Sequence, residues 1–206
     1  MTIYLIRHGE TDFNRRHIVQ GSGVDSSLND TGRAQGRHFH AHYKDVPFGA
    51  VITSGLKRTA ETVADFIGME LSHETDHDLN EMSWGEHEGK SSTPAMIAQY
   101  QTMKEGWERG EYHHRIPGGE SAAELAERLQ RFIERLRERK EDTLLICSHG
   151  RSMCALVTLM MGRPLSRMNE LRHSNTGLWV AELKADGSFE FTKENDRAHL
   201  AEMPAH

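Results

Sequence analysis

The sequence predicts an α/β fold, a three-layer sandwich with a mainly parallel central sheet flanked by helices. Three short apolar runs carry that expectation: Ile3-Tyr4-Leu5-Ile6, Ala50-Val51-Ile52-Thr53 and Thr143-Leu144-Leu145-Ile146-Cys147. Each is rich in β-favouring or branched residues and is followed by a segment with helical spacing, the signature of βαβ units. With 206 residues the chain has the size of one ordinary domain, and no internal repeat or low-complexity linker divides it.

In chain order, the first run stops at Arg7-His8-Gly9 and feeds a loop. A helix follows over 29–43, with Asn29-Asp30 as its cap. The second strand, 50–53, leads to a helix over 58–67 that carries Ala60, Val63, Ala64 and Ile67 on one side. A helix over about 93–108 starts near Pro94 and aligns Met96, Ile97, Tyr100, Met103 and Trp107 as a packing face. It belongs to a lid-like insertion at about 82–118, between the second and third core strands.

The plainest helical pattern spans 121–139. Leu125, Leu129, Phe132, Ile133 and Leu136 form a stripe, and Ser121 with Glu124 forms a capping box. After the third strand, Leu178–Leu183, the turn at Asp186-Gly187 and Phe189-Glu190-Phe191 predict a closing antiparallel hairpin. The tail from Asn195 to His206 has no clear pattern and is expected to be poorly ordered.

Composition excludes several classes of function. Lys and Arg number 25 against 31 Asp and Glu, a net charge of −6, which disfavours a nucleic-acid surface built on clustered cations. No apolar run is long enough to span a membrane, and the start MTIYLIRHGE has no basic leader, so a soluble, cytoplasmic protein is expected. Cys147 and Cys154 form no CxxC or metal-ligand spacing. The histidines His38, His40, His42, His113 and His114 invite a metal hypothesis, but no carboxylate or cysteine completes a recognisable site, and a wet surface suits them better. No metal and no cofactor is expected.

The candidate chemistry lies at the strand ends. In open α/β sheets ligands bind beyond the carboxyl ends of the strands, where Arg7-His8-Gly9 and Ser148-His149-Gly150 both fall. Arg58 follows the second strand and adds a guanidinium to the same edge. Two arginines and two histidines suit a tetrahedral dianion, because the guanidinium fork matches phosphate oxygens in shape and charge. The helix starting after His149 adds free N–H groups that favour an anion. A neutral imidazole can attack phosphorus, and His8 is the candidate nucleophile. The leaving alcohol needs a proton, for which Glu81, before a Trp-Gly turn, is the candidate acid, with Glu10, Glu86 and Glu88 as nearby alternatives.

These residues also carry a family resemblance. Arg7-His8-Gly9-Glu10-Thr11-Asp12-Phe13-Asn14, then Gln20-Gly21, Leu28, Gly32 and Gln35, resemble the signature of the histidine phosphatase superfamily, in its phosphoglycerate mutase-like branch. Ser54–Thr62, Leu79-Asn80-Glu81, Trp84-Gly85, Pro117–Ser121, Ser148-His149-Gly150 and Asn175-Thr176 resemble its later motifs in order. The resemblance runs from Arg7 to about Thr176. It implies that His8 is the phosphorylated nucleophile, that Glu81 is the proton donor, and that Arg7, Arg58 and His149 form the phosphate pocket. It further implies that Asn14, Gln20, Gly21 and Gly150 line the same site. Two departures, Gly55 in place of the family's usual Pro and Glu61 in place of its usual Gln, suggest a softer loop around Arg58.

The expected function is hydrolysis of phosphate monoesters, most naturally of a small phosphorylated metabolite, with a phosphoprotein as the other substrate class. The nearest alternative is a mutase. Against it, the stretch from Trp84 to Tyr112 contains only Lys90, Lys104 and Arg109 as candidate partners for a substrate carboxylate. A phospholigand-binding module without turnover is the alternative outside enzymology.

Overall fold

The computed structural model describes residues 1–69, 71–201 and 203. The three apolar runs become β1 (Thr2–Arg7), β2 (Ala50–Thr53) and β4 (Thr143–Ser148), with β3 (Ser72–Thr75), β5 (Leu178–Leu183) and β6 (Phe189–Asp196) completing one sheet. Its order is β3-β2-β4-β1-β5-β6. The first four strands are mutually parallel, and β5 and β6 run antiparallel.

Side-chain alternation along the strands divides the core in two. Ile3, Leu5, Ile52, Leu144 and Ile146 face one side, where they meet α6 (Ala122–Arg137) and α7 (Gly150–Met160). Ile6, Val51, Leu145 and Cys147 face the other, against Phe39 and Tyr43 of α2 (Asp30–Tyr43) and Phe66. Buried on both faces, the central strands can be continuous apolar runs. The α6 stripe is buried along its whole length, and its capping box is present: Ser121 Oγ accepts from Glu124 N while the Glu124 carboxylate accepts from Ser121 N. Asn29 caps α2 through Gly32 N at 2.9 Å.

Three expectations need correction, and one strand has no counterpart in the sequence pattern. The helix expected over 58–67 is two short pieces, α3 (Lys57–Thr62) and α4 (Ala64–Ile67), broken at Val63. Thr62 Oγ1 donates back to Arg58 O at 2.6 Å and accepts from Gly9 N at 2.9 Å, and such back-bonding bends helices. The stripe expected on α5 (Pro94–Glu108) is divided: Met103 and Trp107 are buried, whereas Ile97 is 50% exposed. The edge strand β3, Ser-His-Glu-Thr, was not anticipated because all four of its side chains are exposed and give no apolar pattern. The tail is ordered where it is described. β6 continues to Asp196, and His199 is buried against Phe39 with Nε2 at 3.1 Å from Thr176 Oγ1. Residues 202 and 204–206 of that tail lie outside the described residues.

Among the described residues no helix is long and apolar enough to cross a membrane. Nor does any group of three or more His, Cys, Asp or Glu there have an arrangement that could hold a metal ion.

Candidate active site

The strand register brings the reactive residues together. β1 and β4 pair with Arg7 opposite Ser148, and β2 pairs with β4 so that Thr53 stands opposite Cys147. The residues that leave these three strands therefore emerge side by side: His8, His149 and the loop from Ser54 to Arg58. His8 N donates to Ser148 O at 3.0 Å, and the two imidazoles have centroids 5.1 Å apart.

His8 is buried, with Nδ1 2.7 Å from Gly9 O. A carbonyl oxygen can only accept, so Nδ1 carries the proton and Nε2 keeps its lone pair. Burial, then the charges of Arg58 and Arg7, hold His8 well below the usual imidazole range, against the opposing pull of the Gly9 carbonyl. The ring is thus neutral, oriented and nucleophilic at Nε2.

Arg58 has no exposed surface. Its Nε donates to His149 Nδ1 at 3.2 Å, Nη1 to Val24 O at 2.7 Å and Nη2 to Gly21 O at 3.4 Å. These acceptors are neutral, so the guanidinium charge remains available to an anion. The Gly21 backbone comes close because it lacks a side chain: a Cβ there would lie 1.9 Å from Glu88 Oε1 and 2.8 Å from Met82 O. Arg7 donates through Nη1 to His173 O at 2.7 Å, while its Nε is a buried donor without an acceptor among the described residues. Buried donors are ordinarily paired, which marks this one as suited to an incoming oxyanion. The Arg7 guanidinium packs against the first turn of α7 at Gly150, where even a Cβ would stand in ordinary contact with it, 3.4 Å from Cζ.

Of the four carboxylates weighed above, Glu81 is the one held at the start of α7, next to the strand end that carries His149. It is buried at the N-terminus of α7, accepting from Ser152 N at 2.9 Å, Met82 N at 2.9 Å and Arg151 N at 3.1 Å. The other three have different placements: Glu10 accepts from Asn29 at the start of α2, Glu86 is exposed, and Glu88 braces its own turn through Trp84 N at 2.7 Å. Glu81 opens into a cleft of about 460 Å³ that is also lined by Ser22, Asn80, Ser83, Arg115 and Arg128.

Asn14 and Gln20 sit around this centre rather than in it. Asn14 Oδ1 accepts from Thr11 N, closing the turn that starts the short helix α1 (Asp12–Arg15). It is also 3.4 Å from Asn175 Nδ2, which donates to His8 O at 3.0 Å. Gln20 Nε2 donates to Thr11 Oγ1 at 2.8 Å and its Oε1 accepts from Ser26 Oγ, so its amide is turned toward the loop.

Sequence reasoning missed three participants. Ser54 Oγ is 2.7 Å from His149 Nε2, Ser152 supplies N–H and hydroxyl contacts to Glu81, and Arg151 joins Glu81 to the lid side through Tyr100 and Asn169. The available signal was position: Ser54 opens one of the motifs, and Arg151 and Ser152 directly follow another. The loop expected to be soft is pinned by Gly55 N to Asn80 Oδ1 at 2.7 Å, Lys57 N to Asp25 Oδ1 at 2.8 Å, and Leu28 N to Glu61 Oε2 at 2.7 Å.

A buried neutral histidine, flanked by a second histidine and two arginines at the carboxyl edge of the parallel strands, has the charge and donors that suit a phosphate-like anion. The family model of the histidine phosphatase superfamily (branch 1) matches residues 3–197, and the chain belongs to that family. The chain is 31% identical over 206 residues to an Erwinia tasmaniensis protein named "Probable phosphoglycerate mutase GpmB", covering 91% of this chain and 94% of that one. Among solved structures, the alpha-ribazole phosphatase from Shigella flexneri superposes with a TM-score of 0.83 at 26% identity, covering 96% of this chain and 98% of that one. A mycobacterial glucosyl-3-phosphoglycerate phosphatase, at 19% identity, shares the fold with a TM-score of 0.81 over 96% of this chain and 99% of that one.

Proposed function

We propose that the chain hydrolyses phosphate monoesters through a phosphohistidine intermediate on His8. The observation that carries this reading is the fixed tautomer of His8, whose Nδ1 is bound to Gly9 O and whose Nε2 is left free within a cluster of Arg7, Arg58 and His149. In the first step Nε2 forms a bond to phosphorus as the ester P–O bond breaks, and Glu81 delivers a proton to the departing alkoxide. In the second, water attacks the phosphoryl group, Glu81 takes its proton, and the P–N bond breaks to return neutral His8 and free phosphate. Phosphoryl transfer asks mainly for positioning and charge stabilisation, which Arg7, Arg58 and the Gly150 N–H at the start of α7 supply, while His149 flanks His8 and holds the Arg58 guanidinium in place. Gly21 serves by its carbonyl on Arg58, and Asn14 and Gln20 by holding the loop around the pocket.

Hydrolysis is favoured over mutase transfer by the condition of the lid cations. Arg109 is engaged by Glu111 at 3.0 Å, Lys104 lies over the Tyr100 ring at 5.7 Å, and Lys90 is exposed. Arg115, the cation that the lid places in the cleft beside Glu81, is likewise paired, with Glu124 at 2.9 Å. The mutase name of the Erwinia relative keeps the second reading testable: isomerisation of 3-phosphoglycerate with a bisphosphate primer would favour it, and release of free phosphate favours hydrolysis. The reading takes a small phosphorylated metabolite as substrate, residues 82–118 as a lid on a single domain, and a reducing cytoplasm as the setting of the free thiols Cys147 and Cys154. Its experiment is phosphate release from a panel of monoesters in EDTA, with His8→Ala alongside. Metal-independent turnover that the variant abolishes supports the reading, and full turnover by the variant refutes it.

A further inference from the structure

Beside the polar cleft at Glu81 lies a second one of different character. Its volume is about 250 Å³; Val19, Trp84, Met96, Ile97 and Tyr100 form most of its wall, and the polar residues Gln20, His87 and Ser92 complete it. We infer that this cleft is a leaving-group subsite, selecting phosphate monoesters whose alcohol carries an aromatic or bulky apolar group close to the ester oxygen. The inference rests on the phosphatase reading and adds a substrate class to it.

Position is the first argument. Gln20 bonds Thr11 at the start of α1, three residues from His8, and Trp84 lies three residues beyond Glu81. Tyr100 Oη accepts from the guanidinium of Arg151, whose own backbone N–H donates to Glu81. Both walls are thus tied directly to the segments that carry the reacting groups.

Rigidity is the second. Trp84 and Tyr100 meet edge to face with centroids 5.5 Å apart, and Arg151 stacks over Tyr100 at 5.8 Å while donating to Asn169 Oδ1 at 2.8 Å. Walls fixed in this way keep an apolar cavity open, and a preformed cavity lowers the ordering cost of binding. A cavity of about 150 Å³ holds benzene, so this one accommodates a substituted ring or a small fused pair.

Exposure is the third. Among the described residues only Met69 and Ile97 are large hydrophobics counted as exposed, at 47% and 50%, and Ile97 stands in this wall. The neighbouring polar cleft cannot take an apolar group as well, because Arg128 is paired there with Glu120 at 2.7 Å and Arg115 with Glu124 at 2.9 Å. Covering those pairs with hydrocarbon would desolvate four charges.

The test compares naphthylethyl phosphate with ethyl phosphate, two primary alkyl monoesters whose alkoxide leaving groups are closely matched. The wild-type protein should favour the naphthyl ester in kcat/KM on the order of a hundredfold, from the apolar area buried. Ile97→Glu and Met96→Glu should each cut that ratio about tenfold or more, by placing a charge in the cleft, whereas Met69→Glu, on the other exposed hydrophobic, should preserve it. A wild-type ratio near one, or a ratio unchanged in Ile97→Glu, overturns the subsite and leaves the phosphatase reading intact. Absence of phosphate release from both esters refutes the phosphatase reading, and the subsite with it.

Discussion

Arg58 Nε donates to His149 Nδ1 at 3.2 Å, which fixes the proton of that imidazole on the opposite nitrogen. His149 Nε2–H must then donate to Ser54 Oγ at 2.7 Å. A serine outside the assigned pocket thereby holds the tautomer of a pocket histidine, and all three groups are buried.

Replacing Ser54 by Ala should leave that N–H buried without an acceptor. The expected cost is about 1–3 kcal/mol of stability, read by urea denaturation. Ser54→Thr, which keeps the hydroxyl, should recover much of it.

Arg58 should prove irreplaceable by Lys. Its fork spans His149, Val24 and Gly21, and an ammonium reproduces the charge without the plane. Arg58→Ala should lower kcat/KM by on the order of a hundredfold, with Arg58→Lys recovering little of the loss in steady-state assays.

Glu81→Gln should separate the two chemical steps. The amide oxygen can still accept from Ser152 N and Met82 N, but the amide group cannot carry the proton to the alkoxide or take one from water. With a substrate whose leaving group needs no proton, phosphohistidine should accumulate in a rapid-quench experiment while turnover falls by about two to four orders of magnitude. A variant with normal turnover and no accumulation would remove Glu81 from both roles.

Acid should destabilise the fold through its buried histidines. Burial, before any charge effect, lowers His8 and His149 well below the usual range, His173 to about 3 and His199 to about 4. In the unfolded chain each protonates near the ordinary imidazole value of 6.5, so the unfolded state binds more protons as the pH falls below that point. The stability these groups contribute is complete above pH 6.5 and is lost as the pH falls toward their folded values. Each group contributes a slope of up to about 1.4 kcal/mol per pH unit. Thermal melts between pH 7 and 5 should show the decline, and His199→Gln should flatten it; a melting temperature constant over that range would contradict the assignment.

The parts of this molecule that could be read from its sequence are those where one pattern dominates. The strands β1, β2 and β4 announce themselves because they are buried on both faces, and α6 because its stripe and capping box agree. β3 is silent because its four side chains are exposed and its anchors, backbone pairing to β2 and the Arg139–Glu74 ion pair, leave no apolar pattern in the sequence. The break at Val63 is silent because Thr62 is recruited by Gly9, a contact between residues 53 positions apart. At the site, His8, Arg58, Glu81 and His149 follow from strand ends and motifs. Ser54 and Arg151 act through partners distant in the chain, His149 and Tyr100, which local spacing cannot reveal.

The most direct test of the central claim is a rapid acid-free quench of the protein with a monoester substrate, followed by peptide mass spectrometry. The account predicts one phosphoryl group, stable in base and labile in acid, on His8 of the N-terminal peptide. Hydrolysis proceeding at full rate with no phosphorylated His8, or with the phosphoryl group on His149, would contradict it.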